Sequence, residues 1–133
     1  MIQAEKIVQL QAHSAALYAL APGRKVNTLF SAGADKVVAE WNLETFETNP
    51  FAIRTEHTVY SLLNLNNTHL VIGTIHGSMH IIDLNSKQEI RHVKFHNAGV
   101  FHMIEIPNQN EVVAACSDGS ISVWNENEWS LTR

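Results

Sequence analysis

Three segments of this chain align without gaps: LFSAGADKVVAEWNL at 29–43, LVIGTIHGSMHIIDL at 70–84 and VVAACSDGSISVWNE at 112–126. Their turn positions, Asp35, His76 and Asp118, lie 41 and 42 residues apart, and six residues beyond each stand Trp41, Ile82 and Trp124 at the same spacings. Upstream, AHSAALYAL (12–20), EHTVYSL (56–62) and FHNAGVFHMI (95–104) also correspond. Each places a His ahead of an aromatic, Tyr18, Tyr60 or Phe101, that opens an apolar stretch. A repeat of this length marks a supersecondary unit that buries its apolar surface mainly against its neighbours.

Within a unit the pattern is that of strands. The run EVVAAC is followed by Ser-Asp-Gly and then by alternating Ile-Ser-Val-Trp. Two β-patterned runs around an Asp-Gly pair form the strongest short-range hairpin signal. A strand after the His precedes this hairpin, and a short fourth strand, IVQLQ (7–11), AIRT (52–55) or HVKF (92–95), leads into the next His. LYALAP and the stretch around NNTHL are too short to read as helices. Pro22-Gly23, Asn49-Pro50, Asn66-Asn67 and Pro107-Asn108 punctuate the loops. The prediction is an all-β chain with four strands in roughly every 42 residues.

With those residues in place, the chain resembles the WD40 repeats of β-propellers over about residues 7–128. In the first unit His13 lies 22 residues before Asp35, Ser31 four before it and Trp41 six after it. His96, Asp118 and Trp124 keep these spacings in the third, where Ala114 takes the Ser position. The second unit retains His57, with His76, Ile72 and Ile82 in the Asp, Ser and Trp positions. Ala12, Glu56 and Phe95 replace the family's Gly before the His, and Trp-Asp has become Trp-Asn twice. The resemblance implies three four-stranded antiparallel WD40 blades in a single partial β-propeller domain (1–133), with repeats at approximately 7–48, 49–90 and 91–133. It also implies a structural tetrad of His13, Ser31, Asp35 and Trp41, of which the third unit keeps His96 and Asp118, with Trp124 as packing. The second unit is left to apolar packing through Ile72 and Ile82.

Three blades cannot close a ring of about 4–8. The arc is therefore expected to be half of a six-bladed ring, formed by two copies head to tail, or part of a seven-bladed one. In the dimer, residues 7–11 of one copy complete the third blade of the other. Trp129 is then either a strand residue or part of a loose tail.

Composition narrows the function. A net charge of −4 with no Lys/Arg run disfavours nucleic-acid binding. No apolar run approaches the ~18 residues of a membrane span, and the start lacks a signal-peptide layout. The lone Cys116, in an apolar run, reads as a small buried hydrophobe. A cytoplasmic location is the expectation. Ser31, His13 and Asp35 have the composition of a hydrolase triad, but no G-x-S-x-G elbow accompanies them. Catalysis is therefore not expected, with a hydrolase as the remote alternative. His76/His80 and His92/His96 have ligand-like spacing without a Cys cluster or acidic partner, so no metal or cofactor is expected.

The remaining expectation is a non-catalytic scaffold that binds a protein or peptide, or else a self-assembling half-propeller or propeller fragment without a ligand of its own. WD40 proteins usually bind partners on the narrow top face. The resemblance places Ala16, Tyr18 and Ala34; Thr58, Tyr60 and Ile75; and Gly99, Phe101 and Ser117 there. The three aromatics form either a hot spot or a cover for the channel mouth.

Overall fold

The computed structural model describes residues 3, 5, 8, 10–94 and 97–132, and every regular element among them is a strand. In chain order these are β1 (Leu17–Pro22), β2 (Thr28–Gly33), β3 (Val37–Asn42), β4 (Glu47–Arg54), β5 (Val59–Leu65), β6 (His69–Thr74), β7 (Ser78–Asp83), β8 (Glu89–Lys94), β9 (Val100–Ile106), β10 (Glu111–Cys116) and β11 (Ile121–Asn125). They form three antiparallel meanders: β1-β2-β3-β4, β5-β6-β7-β8 and β9-β10-β11. The third sheet thus has three full strands rather than four. A bridge between Trp124 and Leu131 marks the start of the fourth, held by Asn125 N to Ser130 O and Thr132 N to Val123 O. Of the expected outer strand 7–11, Ile7 and Gln9 lie outside the described residues, and Val8, Leu10 and Gln11 join no sheet.

The central strands, β6 above all, are apolar on both faces, and this stacks the sheets. In β6, Leu70 and Ile72 enter a core shared with Ala19, Ala21, Phe30, Ala32, Val38 and Phe51 of the first sheet. Val71, between them, enters a second core with Val100, Met103, Val112, Ala114 and Trp124 of the third. Alternation at period 2 thus sends one strand into two cores. The neighbouring sheets are also joined by side chains. Ser61 Oγ donates to Val100 O at 2.8 Å, and Asn64 Nδ2 to Pro22 O at 3.0 Å. Gly73 makes room for the first of these bonds: a Cβ there would lie 2.2 Å from Ser61 Oγ and 2.9 Å from Val100 Cγ1.

The turns repeat as well. The β2–β3, β6–β7 and β10–β11 hairpins each place a left-handed residue after the Asp position: Lys36, Gly77 and Gly119. In the next turn, the Oδ1 atoms of Asn42, Asp83 and Asn125 each accept two backbone N–H groups, two and three residues ahead. Asn serves as well as Asp because the turn uses a single side-chain oxygen. Each turn closes on a left-handed residue, Phe46, Lys87 or Trp129, whose N–H returns to the carbonyl of residue 42, 83 or 125. Trp129 is therefore a turn-closing residue, buried in the second core.

In the first sheet a directed chain of hydrogen bonds pins the hairpin. Trp41 Nε1 donates to Ser31 Oγ at 2.8 Å, Ser31 Oγ meets His13 Nε2 at 2.7 Å, and His13 Nδ1 reaches Asp35 Oδ2 at 2.8 Å. In the third sheet His96 lies outside the described residues. Trp124 is more than packing, because its indole N–H donates to Ser122 Oγ at 2.8 Å. Register explains the change. Ser31 faces Ala39 across the first hairpin, and Ala114 faces Ser122 across the third. The hydroxyl has moved to the opposite member of the same cross-strand pair. The second sheet does not rest on Ile72 and Ile82 alone either: Thr74 Oγ meets Ser78 Oγ at 2.6 Å, Ser78 Oγ lies 3.3 Å from His80 Nε2, and His80 Nδ1 bonds Glu89.

Two acidic side chains sit where neighbouring sheets carry apolar ones. Glu40, at the position of Ile81 and Val123, is buried against Arg24, which grips it with two bonds of 2.8 and 2.9 Å. That grip, helped by Asn49 and opposed by burial, holds the Glu40 carboxyl below its usual range. Glu126, at the position of Leu43 and Leu84, has no such cation among the described residues. Among the described residues its buried Oε2 has no partner. Burial first, then the neighbouring Glu105 carboxyl, pushes its pKa up to about 7.

Two outcomes are expected. Ser31→Ala leaves the Trp41 and His13 nitrogens short of a partner and should cost about 1–3 kcal/mol in urea unfolding. Adding Ala39→Ser, which copies the third sheet, should restore part of that loss. For Glu126, a folded pKa raised above 4.5 means stability that is present in acid and lost as pH climbs through about 7. Glu126→Gln should flatten the unfolding midpoint between pH 5 and pH 8 and gain about 1 kcal/mol at the upper end, since water screening reduces the full linkage value.

Candidate functional site

The starts of β1, β5 and β9 carry the same arrangement in all three sheets. In each sheet the residue before the hairpin Asp position is tied by its backbone N–H to the segment that leads into the first strand. The bonds are Ala34 N to Ala16 O at 2.8 Å, Ile75 N to Thr58 O at 3.0 Å, and Ser117 N to Gly99 O at 2.9 Å. The six residues are thereby brought to equivalent places in the three sheets, with Ala16, Thr58 and Gly99 each two residues before the aromatic of the same sheet. In the third sheet Ser117 Oγ additionally accepts Gly99 N–H at 2.9 Å.

The three aromatics, one per sheet, form a continuous row. Tyr18 meets Tyr60 edge-to-face with centroids 5.1 Å apart, and Tyr60 meets Phe101 at 5.0 Å. Such T-shaped contacts match a positive ring edge to a negative face and fix the rings relative to one another. Tyr60, half-buried in the middle, lies across Gly99, where a Cβ would come within 2.8 Å of its ring. The outer two rings remain 54% and 53% exposed. Together they line a hollow of about 380 Å³. Ala16, Ala34, Thr58, Ile75, Gly99 and Ser117 beside the rings carry no charged side chain, so the row offers apolar area, two phenol hydroxyls and backbone groups.

The other groups with apparent chemistry are engaged in structure. Ser31 is buried and bonded to both Trp41 and His13. Asp118 accepts from Ser120 N and Oγ within its own hairpin. Burial, then the Asp118 charge, pushes the Cys116 thiol up to about 11, which keeps it protonated. The histidines pair differently from their sequence spacing: His57 packs edge-on to His76, and His80 stacks on His92, each with centroids 4.3 Å apart. Among the described residues no group of three His, Cys, Asp or Glu side chains is placed to hold a metal ion, and no helix is long and apolar enough to cross a membrane.

Comparison with known proteins agrees with this architecture. Residues 86–125, from just before β8 to the end of β11, match the WD40 family model described as WD domain, G-beta repeat. Among solved structures the chain is similar to the RRP9 WD40 repeats at TM-score 0.82 and 19% identity, over 93% of this chain and 39% of that one. U3-55K gives 0.82 and 19%, over 93% and 40%. The WD40 β-propeller domain of Doa1 gives 0.82 and 21%, over 93% and 42%. The chain thus spans about two fifths of the length of these structures. No curated protein matches it. With a WD40 repeat matched at residues 86–125 and three antiparallel sheets stacked as in these structures, the chain has the fold of a partial β-propeller.

Proposed function

We propose that this chain is a non-catalytic interaction module that binds a protein or peptide across the aromatic row of its top face. WD40 propellers generally act as protein-interaction scaffolds, and the row of Tyr18, Tyr60 and Phe101 carries the reading for this one. Rings locked edge-to-face lose little conformational freedom on binding, and aromatic anchors are characteristic of interface hot spots. Ala16 and Ala34 in the first sheet and Gly99 and Ser117 in the third are small, and the outer rings are more than half exposed. A cytoplasmic setting belongs to this reading, supported by a single cysteine held as a buried thiol.

The test is selection of peptides from a displayed library on the 133-residue chain, followed by affinity measurement on a Tyr18→Ala/Phe101→Ala variant. Both residues are largely exposed, so the thermal midpoint should stay within a few degrees while binding falls by about tenfold or more. Selected peptides that bind the variant as tightly as the original chain would count against the top face.

A second reading, self-association, is favoured by the two end faces. On the third blade, Ile104, Val113, Ala115, Ile121 and Val123 occupy positions that the next blade covers in the first two, and Ile121 is 69% exposed. On the first blade, Leu17 and Leu20 stand at positions equivalent to the buried Val59 and Leu62, and Leu20 is 67% exposed. Each face has the alternation of a blade interface without its cover. Two copies meeting head to tail would bring them together, the incoming segment 7–11 displacing residues 130–132. Light scattering should then give about twice the 14.9 kDa chain mass. Ile121→Lys should return it to the monomer, and a monomer at every concentration rules this reading out.

A further inference from the structure

Between the first two blades lies a hollow of about 380 Å³ that neither the top-face reading nor self-association uses. Its floor is Ile53, Ile72 and Ile82, and one wall is His80, stacked on His92. The size and the mixture of an apolar floor with a few convergent polar groups are those of a ligand pocket.

Position within the repeat indicates what fits it. Trp41, Ile82 and Trp124 are equivalent, paired across the hairpin with Leu29, Leu70 and Val112. Where the residue is Trp, the indole is buried and its N–H ends on a hydroxyl of the adjoining cross-strand pair. That acceptor is Ser31 of Ser31/Ala39 in the first blade and Ser122 of Ala114/Ser122 in the third. In the second blade the pair is Ile72/His80. His80 therefore stands where Ser122 stands, while Ile82 supplies no indole. In the neutral imidazole, an Nδ1–H donated to the Glu89 carboxylate leaves Nε2 with the lone pair of an acceptor. Ser78 Oγ is 3.3 Å from Nε2 but only 2.6 Å from Thr74 Oγ, so the lone pair is weakly engaged.

We propose that this hollow binds a tryptophan side chain of a partner polypeptide, in the place of the indole that the second blade lacks. The indole packs on Ile53, Ile72 and Ile82 and donates its N–H to His80 Nε2. The rim carries Arg54 and Lys87 against Glu56 and Glu89, with no excess of either sign. Such a rim suits the neutral backbone around a tryptophan better than a charged metabolite.

The test is NMR titration of the isoleucine-methyl-labelled 133-residue chain with N-acetyl-tryptophanamide, N-acetyl-phenylalaninamide and free indole. The tryptophan amide should shift the Ile72 and Ile82 methyls saturably, with a dissociation constant on the order of a millimolar. The phenylalanine amide lacks the N–H and should bind at least about threefold more weakly. His80→Phe should erase that preference while other methyl signals hold their positions. Ile82→Trp, which fills the slot as the sister blades do, should abolish the shifts, and Ile82→Phe serves where that variant does not fold. Absence of saturable shifts at Ile72 and Ile82, or equal affinity for the two amides, overturns the proposal. Tighter binding of free indole than of the tryptophan amide overturns the polypeptide source.

Discussion

A sheet that is apolar on both faces has to be covered on both, and the rest of this molecule follows from that requirement. The strands do not divide into a wet face and a dry one, as those of an isolated antiparallel sheet would. In β6, Leu70 and Ile72 enter one core and Val71 the other, and each core is completed by an adjoining sheet. Stacking is thus imposed by the sequence within a single strand, before any loop or signature residue is considered. It also explains why exposure of large apolar residues on the sheets concentrates at the two ends of the arc. Leu20 and Ile121 have the same kind of position as their buried counterparts and differ in having no sheet against them.

Stacking settles which faces meet but not how each hairpin is fixed to the loop beside it. That task falls to polar groups, and the three blades perform it with different residues on one geometry. Ser31 and Ser122 lie on opposite strands, yet both accept an indole N–H, because directly opposed side chains are only about 5 Å apart. The requirement is for a hydroxyl within reach of the ring nitrogen, and the cross-strand pair offers two places to put it. The Asx turns follow the same logic. One side-chain oxygen is needed, so Asn42 and Asn125 perform the same role as Asp83.

Sequence spacing carried the strand order, the turn positions and the membership of the first blade's chain, since His13, Ser31, Asp35 and Trp41 occupy fixed intervals. It could not show the acceptor for Trp124, because Ser122 is recognisable only once register sets it opposite Ala114. The same holds for His80, which spacing linked to His76 although its ring stacks on His92 across two strands. Trp129 has no distinctive neighbours in the sequence. Its role appears when its left-handed backbone is set beside those of Phe46 and Lys87, four residues after the turn Asx in each blade. Arg24 in the β1–β2 loop and Glu40 on β3, sixteen residues apart, form a part-buried ion pair that no periodicity marks. The aromatic row was legible as three equivalent positions. Its edge-to-face geometry depends on Gly99, whose contribution is the absence of a side chain under Tyr60.

The blade without a tryptophan is also the one covered on both sides, and the two facts are connected. The first and third blades each have a core on one face only and use an indole anchored to a hydroxyl to hold the hairpin. The second is fastened to the third by Ser61 and to the first by Asn64, and it contributes to both cores. With that support from its neighbours, the local pin adds less to the position of β6 and β7, and Ile82 in place of Trp is tolerated. The space released stays lined by the remaining half of the pin, an acceptor at His80 held in orientation by Glu89 and flanked by His92. A position relieved of its structural role by packing on both sides is thereby left with the geometry that role required, and the proposed indole site rests on that geometry.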